Sequence, residues 1–138
     1  MDTKFSVAVH ALILISESPK PIDSERMAKS VGTNASYIRK ILGLLKKANI
    51  VGSHRGVTGF SLLLPPERLT LLRVYQAVMG EAQCHLLDVH QNASDQCIVG
   101  RHIRPVLTSM FEQAESAFTR ALSEQTLAQC IEGIRGRL

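Results

Sequence analysis

Hydrophobic positions divide this chain into segments with different periods. Phe5, Val7, Ala8, Val9, Ala11, Leu12, Leu14 and Ile15 fall on nearly every side of a helix, a pattern that a small protein tolerates only when several neighbours cover it. A dimer could supply part of that cover. Ser18-Pro-Lys-Pro ends this first helix, because proline lacks the amide proton that an interior turn requires. Asp23 or Ser24 then caps a short helix carrying Met27, Ala28 and Val31, which closes at Gly32. The next helix starts from Asn34 or Ser36 and repeats Ile38, Ile41, Leu42, Leu44 and Leu45 at a helical period. Arg39, Lys40, Lys46 and Lys47 fall largely outside that stripe. Two such helices joined by a glycine-containing turn form either a helix-turn-helix or an ordinary helical hairpin.

The following segment favours the first reading. Ile50-Val-Gly-Ser-His-Arg and Gly59-Phe-Ser-Leu-Leu-Leu are short strand-like runs, and the Gly56 to Gly59 connection suits a hairpin turn. A β-hairpin directly after a helix-turn-helix is a wing. Pro65-Pro66 ends it, and Leu69, Leu72, Val74, Tyr75, Val78 and Met79 predict another helix that closes at Gly80. A polar, poorly periodic stretch follows and reads as a loop. From Cys97 onward, Ile103, Val106, Leu107, Met110, Phe111, Ala114, Ala117, Phe118, Ala121 and Leu122 trace a long amphipathic helix, a natural dimerisation element. Pro105 means that this helix either begins close to Arg104 or is kinked there. Thr126 to Arg135 suggests a short final helix.

The expected fold is mainly α with a small β-hairpin wing. Its divisions are a winged helix-turn-helix over 1–80, a sensor or effector loop over 81–97, and a dimerisation helix with a C-terminal helix over 98–138.

Charge sharpens this picture. From Arg26 to Pro66 there are seven Lys/Arg and no Asp/Glu. Residues 1–64 hold nine Lys/Arg against four Asp/Glu, a balance of +5, while residues 65–138 hold seven against eight, a balance of −1. A basic half suits a polyanion, because lysines and arginines that neutralise phosphates release condensed counterions. A solvated basic face is the plainer alternative. The apolar run from Phe5 to Ile15 is too short to span a bilayer and has no signal-peptide layout, so a cytoplasmic protein without a membrane partner is expected. Cys84, Cys97 and Cys130 are odd in number and irregularly spaced, which argues for reduced thiols.

Ser36-Tyr37-Ile38, Lys40-Ile41, Leu44 or Leu45, Lys46-Lys47, Ile50-Val51 and Ser53-His54-Arg55-Gly56 through Gly59 resemble the Rrf-two family of winged-helix regulators, the IscR, NsrR and CymR type. The resemblance extends over most of the chain. It implies a homodimeric transcription factor that binds double-stranded DNA, presenting one recognition helix and one wing per subunit to half of a near-palindromic operator. Repression is the default mode for this architecture. On this basis Thr33, Asn34, Ser36, Tyr37, Arg39 and Lys40 are expected at the major groove, with Lys46 and Lys47 beyond them. Arg55 would reach the minor groove or backbone, with His54 and Gly56 beside it in the wing. Physically, the Ser36 and Tyr37 hydroxyls near a helix N-terminus can bond phosphate, and Arg39 can offer paired donors to guanine. Tyr37 could equally pack beneath its helix.

Cluster-binding relatives carry three cysteines spaced about six apart and a ligand such as histidine shortly after the third. Here Cys97 fits that register, but Gln91, His85 and Gly100 stand at the other positions and Cys84 is one residue out. No resident iron-sulfur cluster is therefore expected. Cys97, and more weakly Cys84, remain candidate oxidant sensors. An inert packing role for Cys97 is the competing reading, and a small-molecule effector pocket between the DNA-binding part and the long helix is a further one. His85, His90 and His102 match no metal motif. A thiol enzyme using Cys97 with one of these histidines, or a winged-helix protein-interaction module, would be the rival functions.

Overall fold

The structure, a computed structural model, describes residues 2–54, 56, 58–80 and 84–138. Its first helix, α1 (Lys4–Glu17), is wrapped by α2 (Ser24–Val31), α3 (Ala35–Lys47), α4 (Leu71–Met79) and α6 (Leu127–Arg135), with the hairpin strands β1 (Val51–Ser53) and β2 (Phe60–Leu62) alongside. A 3-10 turn over Pro66–Arg68 leads from the hairpin to α4. The long helix α5 (Ile98–Ser123) packs on α4 and connects through a tight corner to α6. A mainly helical fold with a two-stranded wing is what the sequence pattern predicts.

Local chemistry sets the boundaries. Asp23 caps α2 by accepting from the Arg26 amide at 2.9 Å, and Gly32 closes the helix with φ at 86°. Asn34 caps α3 by accepting from the Tyr37 amide at 2.8 Å. Thr70 does the same for α4 through Arg73, and Thr126 with Gln129 forms a reciprocal capping box on α6. Of the paired candidates, Asp23 and Asn34 therefore hold the cap positions. The long helix begins at Ile98 and runs through Pro105, so the starting point near Arg104 is not the one adopted. The strands are shorter than the apolar runs that announce them, with Val51 opposite Leu62 and Ser53 opposite Phe60.

One core joins the helices. Ala8, Ala11 and Leu12 of α1 have no exposed surface, nor do Ile38, Ile41, Leu42 and Leu45 of α3. Leu127 and Ile131 of α6 complete the same cluster. A smaller cluster of Leu71, Tyr75, Cys84 and Leu122 ties α4 to α5. Tyr75 stands edge-on between Phe5 and Phe118, with ring centroids 5.3 and 5.8 Å away, so α1, α4 and α5 meet through one aromatic row.

The wing is stitched to the α1–α2 linker. Phe60 donates its amide to the Ile22 carbonyl at 3.2 Å, and Gly59 makes that approach possible. Its φ is 118°, and a Cβ there would lie 2.7 Å from the Pro21 carbonyl carbon and 2.9 Å from the Ile22 nitrogen. Both the conformation and the space exclude a side chain. Gly59→Ala is expected to lower unfolding free energy by about 1–3 kcal/mol, measured by urea denaturation. An unchanged midpoint would mean that the wing moves off the linker without cost.

Candidate nucleic-acid interface

The helix α3 presents two chemically opposite sides. Ile38, Ile41, Leu42 and Leu45 enter the core, whereas Ser36, Arg39, Lys40, Gly43, Lys46 and Lys47 are exposed. At about 100° per residue, Ser36, Lys40, Gly43 and Lys47 form a single outward stripe, flanked on one side by Arg39 and Lys46. The expected DNA-facing side chains of this helix are thus brought onto one surface. Asn34 is exposed but its side-chain oxygen is engaged by the cap, Thr33 is half-buried, and Tyr37 packs against the core. The hydroxyl of Tyr37 aside, its ring has a structural role.

One hydrogen bond ties the wing to this helix and another closes the wing on itself. Lys46 Nζ donates to Ser53 Oγ at 2.9 Å, and His54 Nε2 pairs with Ser61 Oγ at 3.0 Å across the hairpin. Lys46 therefore braces the helix against β1 besides adding charge. Gly56 is exposed at the hairpin turn with φ at 77°. Arg55, the wing residue expected at the minor groove, lies outside the described residues. On the helix, Arg39 Nη1 reaches Ser24 Oγ at 3.4 Å, a long contact that leaves the guanidinium directed along the α2–α3 edge.

Two features escape a reading of charge alone. Gly43 sits in the middle of the outward stripe of α3, between Lys40 and Lys47, and its surroundings are open. A glycine there costs helix stability and leaves the backbone of this face open to close approach. Arg73 of α4 donates from Nη2 to the Ala48 carbonyl at 3.3 Å, holding the end of α3 from behind. The glycine within a basic helical stripe was visible in the sequence; the Arg73 contact depends on how α4 returns.

The cysteines occupy different environments. Cys84 is 2% exposed and packs with Leu71, Tyr75 and Leu122. Cys130 is half-buried, and desolvation raises its thiol pKa. Cys97 is exposed at the start of α5, where the backbone amides of Gly100 and then Val99 hold its thiol below the ordinary cysteine range against a small opposing effect of burial. The preceding loop is seated tightly here, because a Cβ on Gly100 would collide with the Ser94 carbonyl oxygen. Cys84 thus lies in the interior, while Cys97 stands exposed at a helix end. Among the described residues, no three His, Cys, Asp or Glu side chains gather as a metal site.

A basic recognition helix, a hairpin wing stitched to it and a supporting core define a winged helix-turn-helix, the fold of a DNA-binding transcriptional regulator. The Rrf2 family model, described as iron-dependent transcriptional regulator, matches residues 1–133. The chain belongs to the Rrf2 family. It is 39% identical over 127 residues to the protein named "Putative HTH-type transcriptional regulator YwnA" of Bacillus subtilis (strain 168), covering 92% of this chain and 93% of that relative. A crystal structure described as "a putative DNA binding protein" is 36% identical with a TM-score of 0.75, over 93% of this chain and 98% of that one. Staphylococcus aureus CymR in its oxidized form shares the fold at a TM-score of 0.73 and 19% identity, over 95% and 94% of the two chains. Transcription regulation implies DNA as partner, and no helix among the described residues is long and apolar enough to cross a membrane.

The open position at Gly43 makes a separable prediction. Gly43→Ala should raise unfolding free energy by about 0.5–1 kcal/mol while weakening DNA binding, read by thermal melts and fluorescence anisotropy. Undiminished affinity would show that DNA does not approach this part of α3.

Proposed function

We propose that the protein is a homodimeric, sequence-specific repressor that reads a near-palindromic operator with α3 and the wing of each subunit. The observation that carries this reading is the exposed Ser36, Lys40, Gly43 and Lys47 stripe, flanked by Arg39 and free of acidic side chains. Ser36 Oγ and Lys47 are suited to phosphates, which position the helix, and Arg39 is suited to a guanine edge, which supplies base preference.

The dimer is supported by the other face of α5. Val99, Val106 and Met110 are 64%, 53% and 60% exposed, and Ala114, Ala117 and Ala121 continue the same outward seam. The small residues let a second helix come close. A further apolar surface runs along α1, where Phe5, Val9, Ile13 and Leu14 line an open groove of about 910 Å3 with Ile134. If a second copy docked on these surfaces repeats the DNA contacts by two-fold symmetry, the half-sites should lie about one DNA turn apart, roughly 34 Å or a multiple of it.

Arg39→Ala is expected to lower operator affinity and relax base preference, whereas Lys47→Ala should weaken binding to operator and scrambled DNA alike. Gel-shift titrations on both DNAs measure the difference. Equal losses for the two variants on both DNAs would remove the assigned division of labour.

The exposure and lowered pKa of Cys97 favour a second element, an oxidant-responsive thiol at the start of α5. A depressed pKa enlarges the thiolate fraction near neutral pH, and the thiolate is the reactive form. Mild peroxide should therefore change DNA binding of the wild type and leave Cys97→Ser unaffected. Identical responses of the two proteins would reject this role.

A further inference from the structure

A polar cleft between residues 84–91 and α5 is left unused by the DNA-reading surface. It has two lobes of about 300 and 550 Å3 that share His85, Glu112 and Glu115. The smaller lobe extends to Arg104 and Phe111; the larger extends along Thr119, Arg120 and Ser123 to Leu72 and Cys84. These dimensions suit a small-molecule site.

Glu115 is already committed to holding the cleft together. Its carboxylate accepts the backbone amides of Leu86 at 2.5 Å and Leu87 at 3.0 Å, and its side chain is only 13% exposed. His85 adds to the clip, lying 2.7 Å from Asp88 and 3.6 Å from Glu115. By contrast, the side chains of Glu112, Arg104 and Arg120 have no hydrogen-bond or ion-pair partner among the described residues. Glu112 and Arg120 lie eight positions apart, about 12 Å along the helix axis, beyond the spacing of direct i,i+4 pairs. A ligand between them can join what they cannot join themselves.

The sign pattern selects the ligand. A molecule bearing only a carboxylate would gain Arg120 but face Glu112 and Glu115, and one bearing only an amine would meet the reverse conflict. A small molecule carrying both charges resolves it. Thr119 Oγ1 donates to the Glu115 carbonyl at 2.9 Å and Ser123 Oγ to the Arg120 carbonyl at 2.6 Å. With its proton so used, the Thr119 oxygen remains as an acceptor on the cleft wall between Glu112 and Arg120.

We propose that the cleft between the 84–91 segment and α5 binds a free α-amino acid, with its carboxylate on Arg120 and its ammonium on Glu112, as the effector of DNA binding. Leu72 forms part of the cleft wall, and the next residue, Arg73, holds the Ala48 carbonyl at the end of α3. Ligand packing against α4 thereby bears directly on the recognition helix. Glu112 and Thr119 lie on the side of α5 roughly opposite Met110 and Ala117, and Arg120 at the flank between, at about 100° per residue, so a dimer built on that seam leaves the Glu112 side of the cleft open. The effector role rests on the regulator reading; ligand binding itself does not.

The test is calorimetric titration of the full chain, without DNA, with each proteinogenic L-amino acid, using acetate and methylamine as single-charge probes. At least one amino acid should bind, neither single-charge probe should, and Arg120→Gln and Glu112→Gln should each weaken binding by about tenfold or more. Lys40→Ala, on the DNA face, should bind the amino acid normally. Absence of binding for every amino acid at about 10 mM, or equal binding by Arg120→Gln, would overturn the site. Gel shifts with the amino acid that binds then address regulation: a changed operator affinity is expected, and an unchanged one would overturn the effector role. A protein that binds the amino acid but no DNA would retain the site and refute the regulator reading instead.

Discussion

The organisation of this protein depends on covering a helix that is apolar on nearly every side. Along α1, Ala8, Ala11, Leu12 and Ile15 are buried, while Phe5, Val7, Val9, Ile13 and Leu14 pack partly against the same core. No single neighbour can shield such a surface, so α2, α3, α4, α6 and β2 are all drawn to it. Water exclusion around α1 therefore fixes the platform on which α3 stands. The return of α6 is fastened as well as packed: Arg135 makes a two-pronged contact with Glu17 at 3.0 and 2.7 Å. Its exposed setting makes that pair more a positional fastening than a source of stability.

A second constraint links the long helix to the platform. Leu71 donates its amide to the Gln125 carbonyl, and Leu127 donates to the Leu69 carbonyl, each at 2.8 Å. These bonds clasp the α5–α6 corner to the start of α4, just beyond the wing. The Phe5, Tyr75 and Phe118 rings join α1, α4 and α5 from another direction. A displacement of α5 consequently reaches α4 through both a polar and an apolar contact, and Arg73 carries it on to the end of α3. This continuity makes control of DNA binding from the loop side mechanically reasonable without any large movement.

Local signals were legible in the sequence, and non-local ones were not. Asn34, Gly32 and the alternation of Ile38 and Ile41 with Arg39 and Lys40 announced α2 and α3, because caps, turns and amphipathic faces are decided within a few residues. The span Thr126 to Arg135 was legible as a short final helix, and the Thr126–Gln129 capping box that starts it is seen in the structure. The apolar positions of α5, however, read as one stripe but serve two surfaces. Leu107, Phe111, Phe118 and Leu122 turn inward, whereas Val106, Met110, Ala114 and Ala117 face outward. Which half meets the chain's own loop is settled by the Glu115 clip on Leu86 and Leu87, a contact between residues nearly thirty positions apart, as the separation of 29 shows. Burial of Cys84 follows from that docking too. Its neighbours Leu71 and Leu122 are distant in sequence, so spacing between cysteines could not reveal its environment.

The contrast between the two cap residues explains how α3 can serve both folding and recognition. The helix α2 begins with Asp23 and carries Glu25 in its first turn, both favourable next to the positive end of a helix dipole. The helix α3 has no acidic residue in its first turn and begins with neutral Asn34. An aspartate would satisfy the Tyr37 amide as well as Asn34 does, but it would add a negative charge to an otherwise acid-free basic face. Asn34 supplies the hydrogen bond alone and leaves the positive helix end available. At the other end, Lys46 and Lys47 complement the negative pole of the dipole and extend the basic surface toward Ser53. The same residues that stabilise α3 thus give it a consistent sign from end to end. No acidic residue falls between Arg26 and Pro66, and that segregation lets a chain of net charge +4 present a strongly basic α3 face.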